Sequence, residues 1–183
     1  MIPFIKKHPQ MLLFGILTAM FSGPGQTFLV SLFIPSMKEE LGLSTTGISG
    51  IYSLATLLSA CLLPALGYFL DRVHLTRFTL TAGLFLAAGC LILSQTNSVW
   101  MLFIGFFLVR NLGQGAMTLA SSTTMARVFG SMRGKALGIA NIGYPIGEAI
   151  FPLLITSWIL AYGWRSGWIL LAGLVLLFFS PAI

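Results

Sequence analysis

Charged residues divide the sequence into long apolar stretches. No charged side chain lies between Lys7 and Lys38, and none lies between Glu40 and Asp71. A helix needs about 20 mostly apolar residues to cross a bilayer, and each of these stretches is long enough. A backbone in hydrocarbon must satisfy its own hydrogen bonds, which a helix does. The sequence therefore predicts a membrane protein built from transmembrane helices.

Composition excludes an ordinary water-exposed domain. Of the 183 residues, 57% are hydrophobic and 8% are charged, whereas a soluble domain carries about a quarter charged residues. The surface must face lipid, so the bilayer is the first predicted partner. The net charge of +6 could indicate nucleic acid, but the basic residues lie in short clusters between apolar stretches. That pattern is typical of cytoplasmic loops beside an anionic leaflet, and we expect no nucleic-acid partner.

The apolar stretches predict an all-α membrane protein with one bundle of six transmembrane helices over residues 1–183. The predicted helices lie at about 10–36, 45–70, 77–94, 99–126, 136–161 and 165–181. Basic residues favour the cytoplasmic side of a membrane. With the N-terminus inside, the inner segments hold Lys6, Lys7, Arg72, Arg77, Arg127, Arg133 and Lys135, and the outer segments hold Lys38 and Arg165. We expect a multi-pass protein of the inner (plasma) membrane with both termini cytoplasmic.

Local signals support helix ends, bends and close packing. Ser44 is placed to cap the second helix. Small residues four apart let helix backbones approach closely, and they occur at Gly15, Ala19 and Gly23, at Gly134 and Gly138, and at Gly143 and Gly147. Proline bends or ends a helix, which we expect at Pro24, Pro35, Pro64, Pro145 and Pro152.

Two charged residues lie deep inside the predicted helices. Arg110 lies about eleven residues from the outer end of the fourth helix, and Glu148 about thirteen from the inner end of the fifth, so both are near the middle of a layer about 30 Å thick. A charge there costs a few kcal/mol, so each must face the bundle interior or a water-filled cavity. Two interpretations stay open: a substrate or proton site, or a salt bridge between Arg110 and Glu148 that locks two helices.

The neighbours of these charges are polar on matching helix faces. Gln114 follows Arg110 by four residues, and Asn141, Tyr144 and Glu148 follow a 3-4 spacing on the fifth helix. Gln26 is an isolated polar residue inside the first helix. Each of them alone could also be an interhelical hydrogen bond. The predicted substrate-binding or proton-coupling site comprises Gln26, Arg110, Gln114, Asn141, Tyr144 and Glu148.

The sequence offers no pattern that indicates an enzyme. Both histidines, His8 and His74, fall at the cytoplasmic edge. No predicted helix carries a metal-ligand cluster, and no nucleophile lies at a suggestive spacing from a base. The sequence has no phosphate-binding glycine loop. We therefore expect no catalytic residues, no metal and no cofactor.

The loop after the second predicted helix resembles the signature loop of the major facilitator superfamily. Gly67, Asp71 and Arg72 match that signature, whereas Leu75 and Thr76 stand in place of its basic residues and Arg77 follows one or two places later. His74 stands where the family has a second glycine. By this resemblance, Gly67, Asp71, Arg72 and Arg77 form a cytoplasmic gate motif. The resemblance implies that Asp71 and Arg72 help to hold the inward gate closed.

Further segments resemble the same family over most of the chain. Residues 110–115 resemble its fourth helix, residues 134–139 the start of its fifth, and residues 163–165 the approach to its sixth. The stretch 129–147 is similar to monocarboxylate and oxalate–formate carriers. Residues 143–147 resemble an antiporter signature but lack its adjacent glycine and proline, so they do not favour antiport, and we expect symport.

The resemblance implies the N-terminal half of a major facilitator fold, with a 3+3 inverted repeat and a substrate site at the midplane. It predicts a secondary active transporter that moves a small organic solute, an anion drawn by Arg110, by alternating access. That fold needs about twelve helices, so the second half is missing from this chain. We expect a fragment or a half-transporter that pairs with a second half or with a copy of itself. The alternative is a non-transporting membrane subunit that binds a partner through helix packing.

Overall fold

The computed structural model describes residues 8–179, and all regular structure in that range is helical. The α-helices are α1 (Pro9–Met20), α2 (Thr27–Glu40), α3 (Thr45–Arg72), α4 (Leu75–Ser94), α5 (Val99–Val109), α6 (Thr118–Phe129), α7 (Arg133–Ala140), α8 (Gly143–Tyr162) and α9 (Trp164–Phe179). Short 3₁₀ turns at Gly23–Gly25 and Gly130–Met132 interrupt them, and Arg110–Met117 is π-helical. The predicted all-helical fold is confirmed. Lys6 and Lys7, and the predicted end of the last helix at 181, lie outside the described residues.

Four helical stretches are long and apolar enough to cross a membrane, judged by length and composition: Pro9–Glu40, Thr45–Arg72, Leu75–Ser94 and Val99–Tyr162. The fourth is 64 residues long and contains the turn at Gly130–Met132, where α6 and α7 pack side by side. Trp164–Phe179 is a shorter apolar helix. The chain is therefore a multi-pass membrane protein, and its division into six crossings stays a prediction.

The predicted first helix, 10–36, is not continuous. The chain leaves the α-helix after Met20, forms a 3₁₀ turn at Gly23–Gly25, and resumes as an α-helix at Thr27. Pro24 in the middle of that turn lacks the N–H group that an α-helix requires. The predicted interruption at Pro24 is confirmed, whereas Pro35, Pro64 and Pro152 lie within helices.

The other predicted boundaries differ in two ways. The predicted helix 99–126 contains a π-helical segment, and the predicted helix 136–161 begins at Arg133 and is broken at residues 141–142. The helix predicted at 45–70 extends to Arg72, and the one predicted at 77–94 begins at Leu75, because charged residues are tolerated in the terminal turns of a helix, where it meets water. Ser44 Oγ accepts a hydrogen bond from Gly47 N at 3.0 Å, so the predicted cap is confirmed.

Small residues bring α1 close to both α7 and α8. A Cβ on Gly15 would lie 2.9 Å from Ala140 Cβ, and one on Gly147 would lie 3.2 Å from the Met20 carbonyl oxygen. Gly143 is packed still more closely, against the Ile16 carbonyl. The predicted packing role is confirmed for these glycines. Gly134 and Gly138 are exposed, and no atom of residues 8–179 lies within 4 Å of where their Cβ would stand, so a packing role for them stays a prediction.

Polar contacts hold the helices at the end of the molecule where α9 begins. Glu40, at the end of α2, accepts from Trp164 Nε1 at 2.6 Å and from Arg165 Nε at 2.9 Å. Arg165 also donates to the carbonyl oxygens of Ser94 at 2.8 Å and Thr96 at 2.7 Å. These bonds fasten α2, the end of α4 and the start of α9 to one another.

The opposite end of the molecule has its own ion pair. Asp71 in the last turn of α3 accepts from Arg127 Nη2 in the last turns of α6. Since α3 begins beside Lys38, which donates to Thr45 Oγ1 at 3.3 Å, this helix runs from the first end to the second. The candidate site lies between the two ends.

Candidate functional site

The break in the first helical stretch faces the π-helical segment of the fourth. A Cβ on Gly113 would lie 2.7 Å from Gly25 N and 2.8 Å from Gly25 Cα, closer than real side chains approach. Two glycines therefore let the backbones meet at this point. A π-helical segment inserts an extra residue into a helix turn, and such segments are frequent at functional sites. Here it brings Arg110 onto the broken helix.

Arg110 is held by two neutral oxygen atoms. Its Nη1 donates to the Gly25 carbonyl at 3.0 Å and to Thr27 Oγ1 at 3.3 Å. The guanidinium carbon lies 5.3 Å from the centre of the Tyr52 ring, and Tyr52 Oη is 3.1 Å from Thr27 Oγ1. Arg110 is 8% exposed. Its Nε and Nη2 have no protein hydrogen-bond partner within residues 8–179.

A cavity of about 350 Å³ lies beside Arg110. Its wall is formed by the first helical stretch, α3, the π-helical segment, the start of α6 and α8, and polar side chains from each of them lie among apolar surface. Its lining residues are Gln26, Thr56, Ser59, Ala60, Leu63, Arg110, Gln114, Gly115, Thr118 and Tyr144. These side chains offer amides, hydroxyls and one cation. In the part of the chain that the structure describes, no three His, Cys, Asp or Glu side chains gather in a way that could hold a metal ion.

The structure brings four of the six predicted site residues to this cavity and leaves two outside. Gln26, Arg110, Gln114 and Tyr144 line it. Asn141, in the break between α7 and α8, and Glu148, in the second turn of α8, are exposed and do not. The cavity wall reaches Tyr144 but not the next turn of α8.

The Arg110–Glu148 salt bridge that the sequence left open is not formed. Between residues 8 and 179 the ion pairs are Asp71–Arg127 and Glu40–Arg165. Arg110 bonds to backbone and hydroxyl oxygens instead, because the π-helical segment turns it toward the first helical stretch and away from α8. Its positive charge therefore has no carboxylate partner in the described chain.

Sequence reasoning missed the contribution of α3. Tyr52, Thr56 and Ser59 follow a 4-3 spacing, which places them on one face of the helix. This face packs beside Arg110 and forms one wall of the cavity. Three polar residues at helical spacing in an otherwise apolar stretch were the available signal. Thr118, at the start of α6, was missed as well, because one threonine inside a predicted helix is ordinary.

The residues of the predicted gate motif lie at the end of α3 and the start of α4. Asp71 pairs with Arg127, which sequence reasoning had not singled out as its partner. The Arg72 guanidinium lies 4.2 Å from the centre of the Tyr68 ring. Arg77 is exposed, and Gly67 has open space where a Cβ would stand. Packing among the described residues therefore does not require a glycine at position 67.

The sequence model of the Major Facilitator Superfamily matches residues 12–182, nearly the whole chain. The chain belongs to the Major Facilitator Superfamily. The family predicted from the loop after α3 and from the later segments is confirmed. Membership in this family of transporters also agrees with the prediction that the chain is not an enzyme.

Individual members of the superfamily are similar to the chain over most of its length. The riboflavin transporter RibJ of Trypanosoma cruzi is 30% identical over 142 residues, which are 74% of this chain and 30% of that protein. Monocarboxylate transporter 9 of Mus musculus is 26% identical over 153 residues, which are 84% of the chain and 30% of the relative. The oxalate:formate antiporter of Oxalobacter formigenes is 27% identical over 142 residues, which are 78% of this chain and 33% of that protein.

The chain thus spans about a third of the length of these major facilitator relatives. Their names include the monocarboxylate and oxalate–formate carriers to which residues 129–147 show similarity. The comparison confirms the superfamily and a multi-pass membrane location for the matched region.

Proposed function

We propose that the chain is half of a secondary active transporter that moves a small organic anion across the membrane by alternating access. The single observation that carries the proposal is the state of Arg110. Arg110 is 8% exposed, is fixed through Nη1 to neutral oxygens, and borders a cavity that polar side chains line in part. A buried cation needs an opposite charge or strong acceptors, and a guanidinium edge with free N–H groups binds a carboxylate through two hydrogen bonds.

The names of the relatives support an anionic substrate. Monocarboxylates, oxalate and formate carry carboxylate groups, and proteins named for their transport are similar to most of this chain. The riboflavin transporters among the relatives have a different named substrate. Arg110 and the cavity are the features of this chain that favour the anion.

We further propose that the chain crosses the membrane six times as the N-terminal half of the fold, with its 3+3 inverted repeat. The segment Val99–Tyr162 would span roughly 96 Å as one straight helix, about three times the hydrocarbon thickness, so two crossings with a turn at Gly130–Met132 account for its length. Trp164–Phe179 supplies the sixth crossing. Both termini then lie in the cytoplasm, and the location is the plasma membrane.

A second half is part of the proposal, either from the same longer polypeptide or from a second copy. Gln114, Asn141 and Glu148 are exposed, although each lies in or beside an apolar helical stretch. Polar side chains at membrane depth normally face protein or water rather than lipid. A second half that packs against this side would cover these residues and close the cavity around the substrate.

The ends of the helices would then act as gates. Asp71 and Arg127 form an exposed ion pair at the end where α3 stops, and Arg72 and Arg77 lie beside it. Exposed pairs contribute about 0–1 kcal/mol, so this contact can break and form again during a transport cycle. Glu148, one turn beyond Tyr144 on α8 and close in sequence to Asn141, is the candidate group for proton coupling.

The test is uptake of labelled carboxylates into membrane vesicles that contain the chain, with its second half where one is encoded. We expect Arg110→Gln to abolish saturable uptake and Arg110→Lys to retain a small part of it, since lysine keeps the charge but not the two-bond geometry. Arg133→Gln is the matched control, because Arg133 is exposed.

Undiminished uptake by Arg110→Gln would reject the anion site. An absence of any saturable uptake by the wild type, together with stable co-purification of another membrane protein, would favour the non-transporting subunit.

A further inference from the structure

Two threonine hydroxyls in the cavity wall have no hydrogen-bond partner. Thr56 Oγ1 and Thr118 Oγ1 are both buried, and neither bonds to any group in residues 8–179. Both residues line the cavity that borders Arg110. Buried polar atoms without a partner are uncommon in folded proteins, so each calls for an explanation.

Other hydroxyl side chains in the helices form hydrogen bonds to the backbone of their own helix. Thr79, Ser122 and Ser157 each donate to the carbonyl oxygen four residues earlier, at 2.8–2.9 Å. This back-bond is the usual choice for a serine or threonine inside a helix. Thr56 and Thr118 do not make it, and their hydroxyl oxygens are shielded in the cavity wall. Rotation about the Cα–Cβ bond would present each hydroxyl to a molecule bound in the cavity that the two residues line.

The local backbone explains why Thr118 lacks this bond. Thr118 is the first residue after the π-helical segment Arg110–Met117. Hydrogen bonds in a π-helix join residues five apart, so the carbonyl four residues before Thr118 is out of α-helical register. The same segment that turns Arg110 toward the cavity therefore also frees this hydroxyl. Thr56 lies on the polar face of α3, between Tyr52 and Ser59.

We propose that Thr56 and Thr118 form a neutral hydrogen-bonding subsite beside Arg110, which selects organic anions that carry a hydroxyl or carbonyl group in addition to the charge. The inference rests on the proposed function and assigns the second recognition element of the same site. A hydroxyl group both donates and accepts, so the pair can bind either kind of group. An analogue that lacks the polar group leaves the buried hydroxyls unpaired, which disfavours it. Ala60 and Leu63 offer apolar contact for the hydrocarbon part of the substrate.

The experiment compares uptake of paired acids in vesicles that contain the chain, with its second half where one is encoded. The probes are carboxylates of three to six carbons, each paired with its monohydroxylated counterpart. In the wild type we expect a lower KM for the hydroxylated member of at least one pair. Thr56→Val and Thr118→Val should each reduce that preference about three- to tenfold, the range expected for one hydrogen bond. Serine at either position, in T56S or T118S, should restore it.

Thr18→Val is the matched control. Thr18 Oγ1 is also buried without a hydrogen-bond partner in the described chain, but Thr18 lies on α1 away from this cavity. This variant should leave the KM ratio unchanged, which separates recognition from a general effect on folding.

An unchanged ratio in both valine variants, with normal membrane insertion, would overturn the subsite. If Arg110→Gln still abolishes uptake in that case, the result supports the anion site and rejects only the threonine subsite. A loss of insertion or of thermal stability that serine does not restore would make the two threonines structural and would also overturn the inference.

Discussion

Two arginines show how the same side chain takes different roles. Arg165 uses all three of its nitrogen atoms on the protein: it donates to Glu40 and to the carbonyls of Ser94 and Thr96. Its charge is paired and its geometry is fixed at a helix end, so it stabilises the bundle. Arg110 uses one nitrogen atom, on neutral oxygens, and keeps the other two beside a cavity. An anionic ligand would supply the hydrogen-bond acceptors and the negative charge for Arg110 that Glu40 and the two carbonyls supply for Arg165.

Glu148 provides the prediction for coupling at the residue scale. It is exposed on α8, and no ion pair or hydrogen bond fixes it within residues 8–179. We expect Glu148→Gln to flatten the pH dependence of uptake and to leave the KM at the optimal pH within about threefold, since Glu148 does not line the cavity. The measurement is initial uptake rate at fixed substrate concentration over a range of external pH.

Glu39→Gln is the control for Glu148, because Glu39 is also an exposed glutamate but lies at the end of α2. The wild-type pH profile should persist in this variant. A Glu148→Gln transporter that keeps the full pH dependence would remove Glu148 from the coupling mechanism.

At the scale of the elements, the site depends on two departures from α-helical geometry that lie against each other. The 3₁₀ turn at Gly23–Gly25 frees the Gly25 carbonyl from an α-helix, and the π-helical segment Arg110–Met117 brings a donor to it. Discontinuous helices near the midplane are a recurring way for transporters to present backbone groups to a substrate. Here the backbone carbonyl positions the arginine.

Gly113→Ala tests whether the close approach of the two backbones is needed. A methyl group at Gly113 would collide with Gly25 N and Cα, and backbone atoms cannot move aside as a side chain can. We expect a loss of about 1–3 kcal/mol of stability, typical of overpacking, seen as a lower temperature of unfolding in detergent. Arg110 would also be displaced, so uptake should fall more than the amount of folded protein does.

Gly138→Ala is the paired control, since a Cβ at Gly138 meets nothing within 4 Å. Alanine favours a helix over glycine by about 1 kcal/mol, so this change should be neutral or slightly stabilising. Equal effects of the two alanines would mean that the Gly25–Gly113 approach has no special role.

Particular residues show what the sequence could and could not predict. Apolar stretches between charges were sufficient to predict the helices, because a membrane leaves the backbone few alternatives. Pro24 was sufficient to predict the interruption near residue 24. The π-helical segment could not be predicted, since it forms where Gly113 meets Gly25, a contact between residues distant in sequence. For the same reason, the sequence left open whether Arg110 pairs with Glu148 and could not show that it bonds to the first helical stretch.

At the scale of the whole molecule, the contacts at the two ends differ in number and kind. Within residues 8–179, Glu40, Trp164 and Arg165 fasten one end with several hydrogen bonds, whereas one exposed ion pair, Asp71–Arg127, joins α3 to α6 at the other. A carrier that works by alternating access needs contacts that hold one side closed while the other opens. We expect the end with the single ion pair to open more easily.

The most direct test of the account is whether Arg110 itself binds the substrate anion. The measurement is the NMR signal of the Arg110 side-chain Nε–H group in ¹⁵N-labelled protein, assigned by its loss in Arg110→Lys, during titration with a carboxylate and separately with the corresponding neutral amide. The account predicts a saturable shift with the carboxylate, at the concentration that half-saturates uptake, and little change with the amide. A signal that stays unchanged while the same carboxylate is transported would contradict it.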